Sequence, residues 1–292
     1  MRGDCAQTTS PPQLPTDGLL WHLAGDVRAL LILPPSFVLE TAHPSVGAGV
    51  DDHSVFRSDP WGRAVRSVSS VQQWVYGGQE AAREGRRLRR LHRDIRGTDP
   101  RGRPYHALEA GTYAWVHNAG FPVYLHAVGY LWRPLDETQR HRLYAEWRLL
   151  GKVLGINERE LPATLEDFWP YYARIRDEVL EPTVVARELL ATDLPLSAPD
   201  RGPRWLRTAL RLLWPVLRKP FLRLRAFVTV GYLPPDARAA LGLEWTERQE
   251  RRLRRLSTVL RYTVPLLPAR LRWLPLARAA RAARAPSRGR AV

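Results

Sequence analysis

Residues 59–97 read DPWGRAVRSVSSVQQWVYGGQEAAREGRRLRRLHRDIRG, and their punctuation decides the fold class. Asp59 followed by Pro60 is a helix start: an acidic N-cap, then the one residue whose missing N–H costs nothing in a first turn. The paired Gly77 and Gly78 stop that helix, and a second run follows until Gly97. The same grammar repeats outward in both directions. DGLLWHLAGDVRALLILPP (17–35) has Asp17 as a plausible cap and Pro34–Pro35 as a stop. SFVLETAHPSVGAGVDDHSVF (36–56) is a shorter helical piece broken by Pro44 and Gly47. TDPRGRPYHA (98–107) is a Pro/Gly turn region, and residues 107–132 are helical with a kink expected at Pro122. Thr164 with Asp167 three residues on forms a capping box. After residue 200 come WLRTALRLLWPVLRKPFLRLRAF (205–227) and ERQERRLRRLSTVLRYTVPLLP (247–268). Strand alternation is almost absent and no repeat recurs. The expectation is an all-α, single multi-helix domain over residues 18–276. A disordered tail at 1–17 and a basic tail at 277–292 are expected to flank it.

The 292 residues, 45% hydrophobic, suffice for a real core. No apolar run precedes Gly18, so the start is not read as a secretory signal, and no run of about 18 uncharged apolar residues could span a membrane. The expected location is cytoplasmic, with contact at a membrane surface open. Cys5 is the only cysteine, which excludes disulfides, cysteine-rich zinc sites and iron–sulfur clusters. Any metal must rest on His, Asp or Glu. There is no GxGxxG, P-loop, HExxH or GxSxG. The net charge of +16 sits in the C-terminal third, where residues 201–292 hold 22 Arg and Lys against 4 Asp and Glu. Such charge attracts an anionic membrane surface or nucleic acid. No helix-turn-helix or zinc module is recognisable, so no nucleic-acid partner is expected. Residues 204–226 alternate apolar residues and arginines at helical spacing, as an interfacial helix does.

Within RRLRRLHRDIRG, residues 86–97, six arginines surround His92. On an ideal helix Leu88, Leu91 and Ile95 form an apolar stripe and His92 lies beside it, facing inward. Arg89 and Arg96 then flank it one turn away on either side. Spacing alone leaves two readings open, a packed core histidine or a metal ligand. The arginines suit the second, because a haem wants an imidazole nitrogen, an apolar surround and cations for its two propionates.

Several stretches in order carry a resemblance. They are HPSVGAGVDDHSVF (43–56), DPWGRAVRS (59–67), the RxxHxxxR of Arg89–His92–Arg96, GRPYHALEAGTYAWVHNAG (102–120) and LPPDARAALGLEW (233–245). From about residue 18 to about residue 275 the chain resembles the family of the latex clearing protein (rubber oxygenase) and MpaB-type oxygenases. The resemblance implies an all-α fold holding haem b, with His92 as the iron ligand. It implies Arg63, Ser67, Arg89, Arg96, Tyr105 and His117 as residues around the cofactor. Where the rubber-cleaving member reads Arg–x–x–Lys–Thr, this chain reads Arg63–Ala–Val–Arg66–Ser67. Arginine does not lose its proton, so Arg66 cannot cap the iron and an open or water-bound iron is expected. Arg66, Glu40, His43 and His53 are the candidates for catalysis. His43 and His53 have a plainer reading as loop braces, His117 as a brace for the turn at 97–107, and Arg63 and Arg66 as a solvated face. The activity implied is oxygenation of an apolar, isoprenoid- or polyketide-like substrate by O2 with a separate reductant, cleaving a carbon–carbon double bond to two carbonyls. The alternative is a haem or lipid carrier of the same fold, without turnover and peripheral to a membrane.

Overall fold

GFPVYLHAVGYL, residues 120–131, carries no formal charge apart from what one histidine can take, so a helix built from it has no face to give to water. It must be covered on every side. The computed structural model, which describes residues 12–200 and 202–284, places it accordingly. In chain order the helices are α1 (Leu19–Leu23), α2 (Leu33–Thr41), α3 (Pro44–His53), α4 (Pro60–Tyr76) and α5 (Gln79–His92). Next come α6 (Ala110–Asn118), α7 (Gly120–Leu131), α8 (Glu137–Val153), α9 (Leu165–Glu178) and α10 (Val184–Leu190). The last are α11 (Arg204–Tyr232), α12 (Pro235–Ala240), α13 (Glu247–Thr263), α14 (Ala269–Arg272) and α15 (Pro275–Arg284). The fold is all-α apart from one short hairpin. In it β1 (Arg96–Thr98) pairs antiparallel with β2 (Pro104–His106), Gly97 opposite Tyr105.

α7 is the central helix, with α2, α6, α8, α11 and α13 packed round it. Phe121, Val123, Ala127, Val128 and Leu131 are wholly buried. The Phe121 ring meets Tyr144 at 5.0 Å, Phe168 at 5.0 Å and Trp147 at 5.7 Å between centroids. Truncating such a ring to alanine costs about 3–5 kcal/mol in lost transfer energy and cavity. The kink expected at Pro122 falls earlier, as a break at Ala119 between α6 and α7. Pro122 lies in the first turn of α7, where its absent N–H leaves no helix bond unmade.

The two ends of the chain are knitted together. Asp26 and Arg28, both buried, pair through two 2.8 Å bonds, and Arg28 also donates to the Leu131 carbonyl at 2.9 Å. Arg272 reaches the same carboxylate at 3.2 Å. Residues 12–17 and 277–284, read from the sequence as tail, are packed here: Leu14 and Ala277 are buried, and Arg284 donates to the Thr16 carbonyl at 2.7 Å. The rest of the expected tails, residues 1–11 and 285–292, lies outside the described residues. Asp17, expected to cap the first helix, pairs instead with Arg142 at 3.2 Å. The cap is supplied from afar: buried Glu146 accepts the Leu19 and Leu20 N–H groups at 2.9 and 2.7 Å.

Candidate active site

The site is built from the α4–α5 hairpin. Asp59 accepts the Gly62 N–H at 2.9 Å and starts α4 where expected. Gly78, at φ 55°, turns the chain through a left-handed conformation that favours glycine. α5 then runs against α8. A side chain at Gly85 would place its Cβ 2.4 Å from the Val153 carbonyl, so the close approach requires glycine. α5 ends at His92, short of the expected Gly97, because Ile95 leaves the helix ladder and its carbonyl accepts the Ala107 N–H at 2.9 Å. Arg96 therefore stands on β1, not one helical turn beyond His92. The inward face of α5 is also not the expected one. Leu91 is exposed, and the buried line is Ala81, Gly85, then half-buried Leu88 and His92.

His92 Nδ1 lies 2.7 Å from the Leu88 carbonyl oxygen. A carbonyl only accepts, so Nδ1 carries a proton, and in the neutral ring the lone pair falls on Nε2. Nε2 has no hydrogen-bond partner among the described residues. This is how a ligating imidazole has its tautomer and ring orientation set by a backbone oxygen. The ring stands edge-on to Tyr113 at 6.3 Å, and the Arg89 guanidinium lies over the same Tyr113 ring, 5.2 Å from its centroid. Arg89 also donates to the Gly155 carbonyl at 3.0 Å and Tyr113 to the Leu154 carbonyl at 3.2 Å, tying the last turn of α5 to α8. Tyr113 was not singled out by the sequence; its only signal is a polar-tipped aromatic on α6, four residues past Glu109.

A second group joins α2 to α4. Glu40 is half-buried, and removal from water pushes its carboxyl up to about 8, with the Arg63 charge partly opposing the shift. Arg63 is itself half-buried, lies 5.3 Å from the Phe37 ring centroid and donates to the Ser67 hydroxyl. Burial lowers its pKa, but a guanidinium stays charged. Arg66, one turn away, is exposed and pairs with Asp59 at 2.9 Å. Glu40, Arg63 and Ser67 are thus brought together, with Arg66 on the outer side.

The remaining candidates divide. His43 stands at the start of α3 without a capping bond from its side chain, its ring 6.4 Å from Trp115 and its Nδ1 buried without a partner among the described residues, and burial pushes its pKa down to about 4. Glu109, which caps α6 and was not foreseen, opposes that shift. Trp115 Nε1 and Trp74 Nε1 are likewise buried without partners, leaving three unused polar atoms on the inner sides of α3, α4 and α6. Tyr105 is buried and donates to Asp52. His53 is exposed, with Nε2 3.4 Å from the Arg96 carbonyl. His117 is buried between α6 and α8. It stacks on Trp147 at 5.3 Å and donates from Nε2 to the Trp147 carbonyl at 3.0 Å, bolting α6 to α8. A separate recess of about 250 Å³, lined by Pro122, Leu125, His126, Trp169, Pro234 and Asp236, includes none of these candidates.

Among the described residues no three His, Cys, Asp or Glu side chains gather into a metal-binding set. A haem held here would find one imidazole, that of His92, and Arg96, exposed and outside any ion pair among the described residues.

The all-α domain holds an imidazole oriented by a backbone carbonyl on α5 and a half-buried carboxyl on α2. Residues 21–262 match the family described as ER-bound oxygenase mpaB/B'/rubber oxygenase, catalytic domain, and the chain belongs to that family of oxygenase catalytic domains. It is similar to an uncharacterized protein of Mycobacterium bovis and one of Mycobacterium tuberculosis. Each is 25% identical over 248 residues, covering 82% of this chain and 91% of the relative. No solved structure matches.

Proposed function

We propose that this oxygenase domain works with haem b, using O2 and an external reductant to oxidise an apolar, isoprenoid- or polyketide-like substrate, with cleavage of a carbon–carbon double bond as the reaction class. One observation carries the reading: the His92–Leu88 bond that commits Nδ1 and leaves Nε2 available. Bound through that nitrogen, the haem supplies oxygen activation. The chain supplies the rest. Arg96, and Arg89 where it can leave the Gly155 carbonyl, answer the propionates. Glu40, with its pKa at about 8, holds its proton at neutral pH, lends it to an oxygen added to the substrate and recovers it as the carbonyl forms, while fixed Arg63 balances the charge in between. Ser67, bonded to Arg63, holds that guanidinium in place. Phe37, Trp74 and Trp115 give apolar walls that exclude water. His43 is a second proton carrier on the α3 side, and His53, with Tyr105 on Asp52, orders the outer loop. Arg66 reaches the site only by leaving Asp59.

The test is oxygen uptake by haem-loaded protein with a reductant and a polyisoprenoid alkene, with carbonyl products trapped as hydrazones. Carbonyl formation that needs both O2 and His92, and falls at least tenfold in Glu40→Gln, supports the proposal. Stoichiometric haem binding with no O2-dependent product across a panel of apolar alkenes would favour the carrier reading.

A further inference from the structure

The N-terminal half of α11 is a helix with one side on the protein and the other on nothing. Its buried residues, Leu222, Val228, Thr229, Gly231 and Tyr232, all belong to the C-terminal half. In the first half, Trp214 donates to the Leu196 carbonyl at 2.6 Å and packs with Phe221 and Trp61, which fixes one face against the body. On the opposite side large apolar residues face outward: Trp205 is 71% exposed, Leu212 74% and Val216 75%. Leu213, Leu217 and Leu224 are exposed too. At 100° per residue these six fall within an arc of about 140°, a continuous stripe rather than scattered residues. Scattered exposed leucines need no explanation; a stripe along one helix does.

The charges of this helix say what covers the stripe. Arg204, Arg211 and Arg218 line the face opposite the stripe, Lys219 lies at one edge and Arg223 falls within it near its end, and no Asp or Glu occurs from residue 202 to residue 235. None of these cations forms an ion pair among the described residues. The helix carries seven cations and no acid, so a second copy docked along it would set like charge against like. A nucleic acid would meet apolar side chains where phosphates want partners. An anionic lipid surface satisfies both features, taking the apolar stripe at the acyl boundary and the cations among the headgroups. The prolines point the same way. Pro215 and Pro220 lie inside the helix and cannot donate to the carbonyls of Arg211 and Val216. Those carbonyls need water, which the headgroup region has and the hydrocarbon core lacks. No described helix is long and apolar enough to cross a membrane, so this one lies on it.

We infer that residues 204–224 form an interfacial helix that docks the domain on an anionic bilayer surface. The inference does not rest on the haem reading. The experiment is co-sedimentation of the full chain with vesicles of phosphatidylcholine alone or mixed with phosphatidylglycerol, for wild type, L212E/V216E and R204Q/R211Q/R218Q. All five residues are surface-exposed, and circular dichroism checks that helicity is kept. Wild type should bind the mixed vesicles, and binding should fade toward 0.5 M salt as the Debye length falls below about 10 Å. L212E/V216E should lower binding at least tenfold. The triple variant should lower it more, by roughly fivefold for each charge removed. Wild-type binding that survives L212E/V216E would overturn the inference. So would absence of binding to mixed vesicles, whether the protein instead binds an oligonucleotide or forms a dimer that V216E breaks.

Discussion

Asp26 and Glu40 are two carboxyls drawn out of water by helix packing, the first wholly and the second in part, and they end in opposite states. Burial alone raises both. At Asp26 that cost is outweighed: the carboxylate accepts the Arg28 N–H at 3.0 Å, two guanidinium bonds from Arg28 and one from Arg272, which hold its pKa below the usual value. Glu40 has Arg63 as its opposing charge without an ion pair, and its carboxyl is pushed up to about 8. The number of donors that converge on the group decides the outcome. A buried acid with all its lone pairs used is architecture, closing the N-terminal turn onto α14. A half-buried acid with its lone pairs unused holds a proton it can give away, and such mismatched pairs mark sites.

The largest break in this comparison is Asp26→Ala, which leaves Arg28 buried and unpaired. Urea denaturation should show a loss of about 3–5 kcal/mol. Arg272→Gln, which spares the Arg28 pair, should cost only about 1 kcal/mol; an equal loss from both would mean the bonds from Arg28 do not dominate.

Glu40 should reveal itself through pH. The folded chain keeps this proton up to about pH 8, whereas an unfolded glutamate loses it near 4.5, so stability falls as pH rises across that window. His43, His117 and His126, each pushed down to about 4 by burial, act below pH 6.5, where stability rises with pH. Between pH 6.5 and 8 the carboxyl is therefore read with least interference. Glu40→Gln should flatten the slope there by on the order of 1 kcal/mol, discounted for the part of Glu40 that meets solvent. An unchanged slope would assign the proton elsewhere. The smallest effect belongs to Arg66→Ala. Its pair with Asp59 is exposed, so the stability change should stay within about 0.5 kcal/mol.

What was legible in the sequence was what local chemistry decides. Asp59–Pro60 and Gly77 bound α4 as read, and Thr164 and Asp167 form the expected box. The end of α5 was not legible, because the hairpin that draws Ile95 onto Ala107 is a pairing between segments 12 residues apart. Its inward face was misread for a related reason: hydrophobicity pointed to Leu88, Leu91 and Ile95, while a close helix–helix approach selects small residues, Ala81 and Gly85. Glu40 and Arg63 were each visible as candidates. Their meeting across α2 and α4 is tertiary, and so is the raised pKa that follows. The second helix partner of His92, Tyr113, lies beyond the hairpin and left no local mark.

The central claim is that His92 is an oriented ligand and not a packed core residue, and haemin titration followed by visible absorption tests it most directly. The wild-type chain should give a shifted Soret band that saturates at one haem per chain. His92→Ala should lose most of that absorbance while its far-ultraviolet circular dichroism stays helical. A wild-type chain that leaves the haemin spectrum unshifted, or a His92→Ala chain that binds it as well as wild type, would contradict the account.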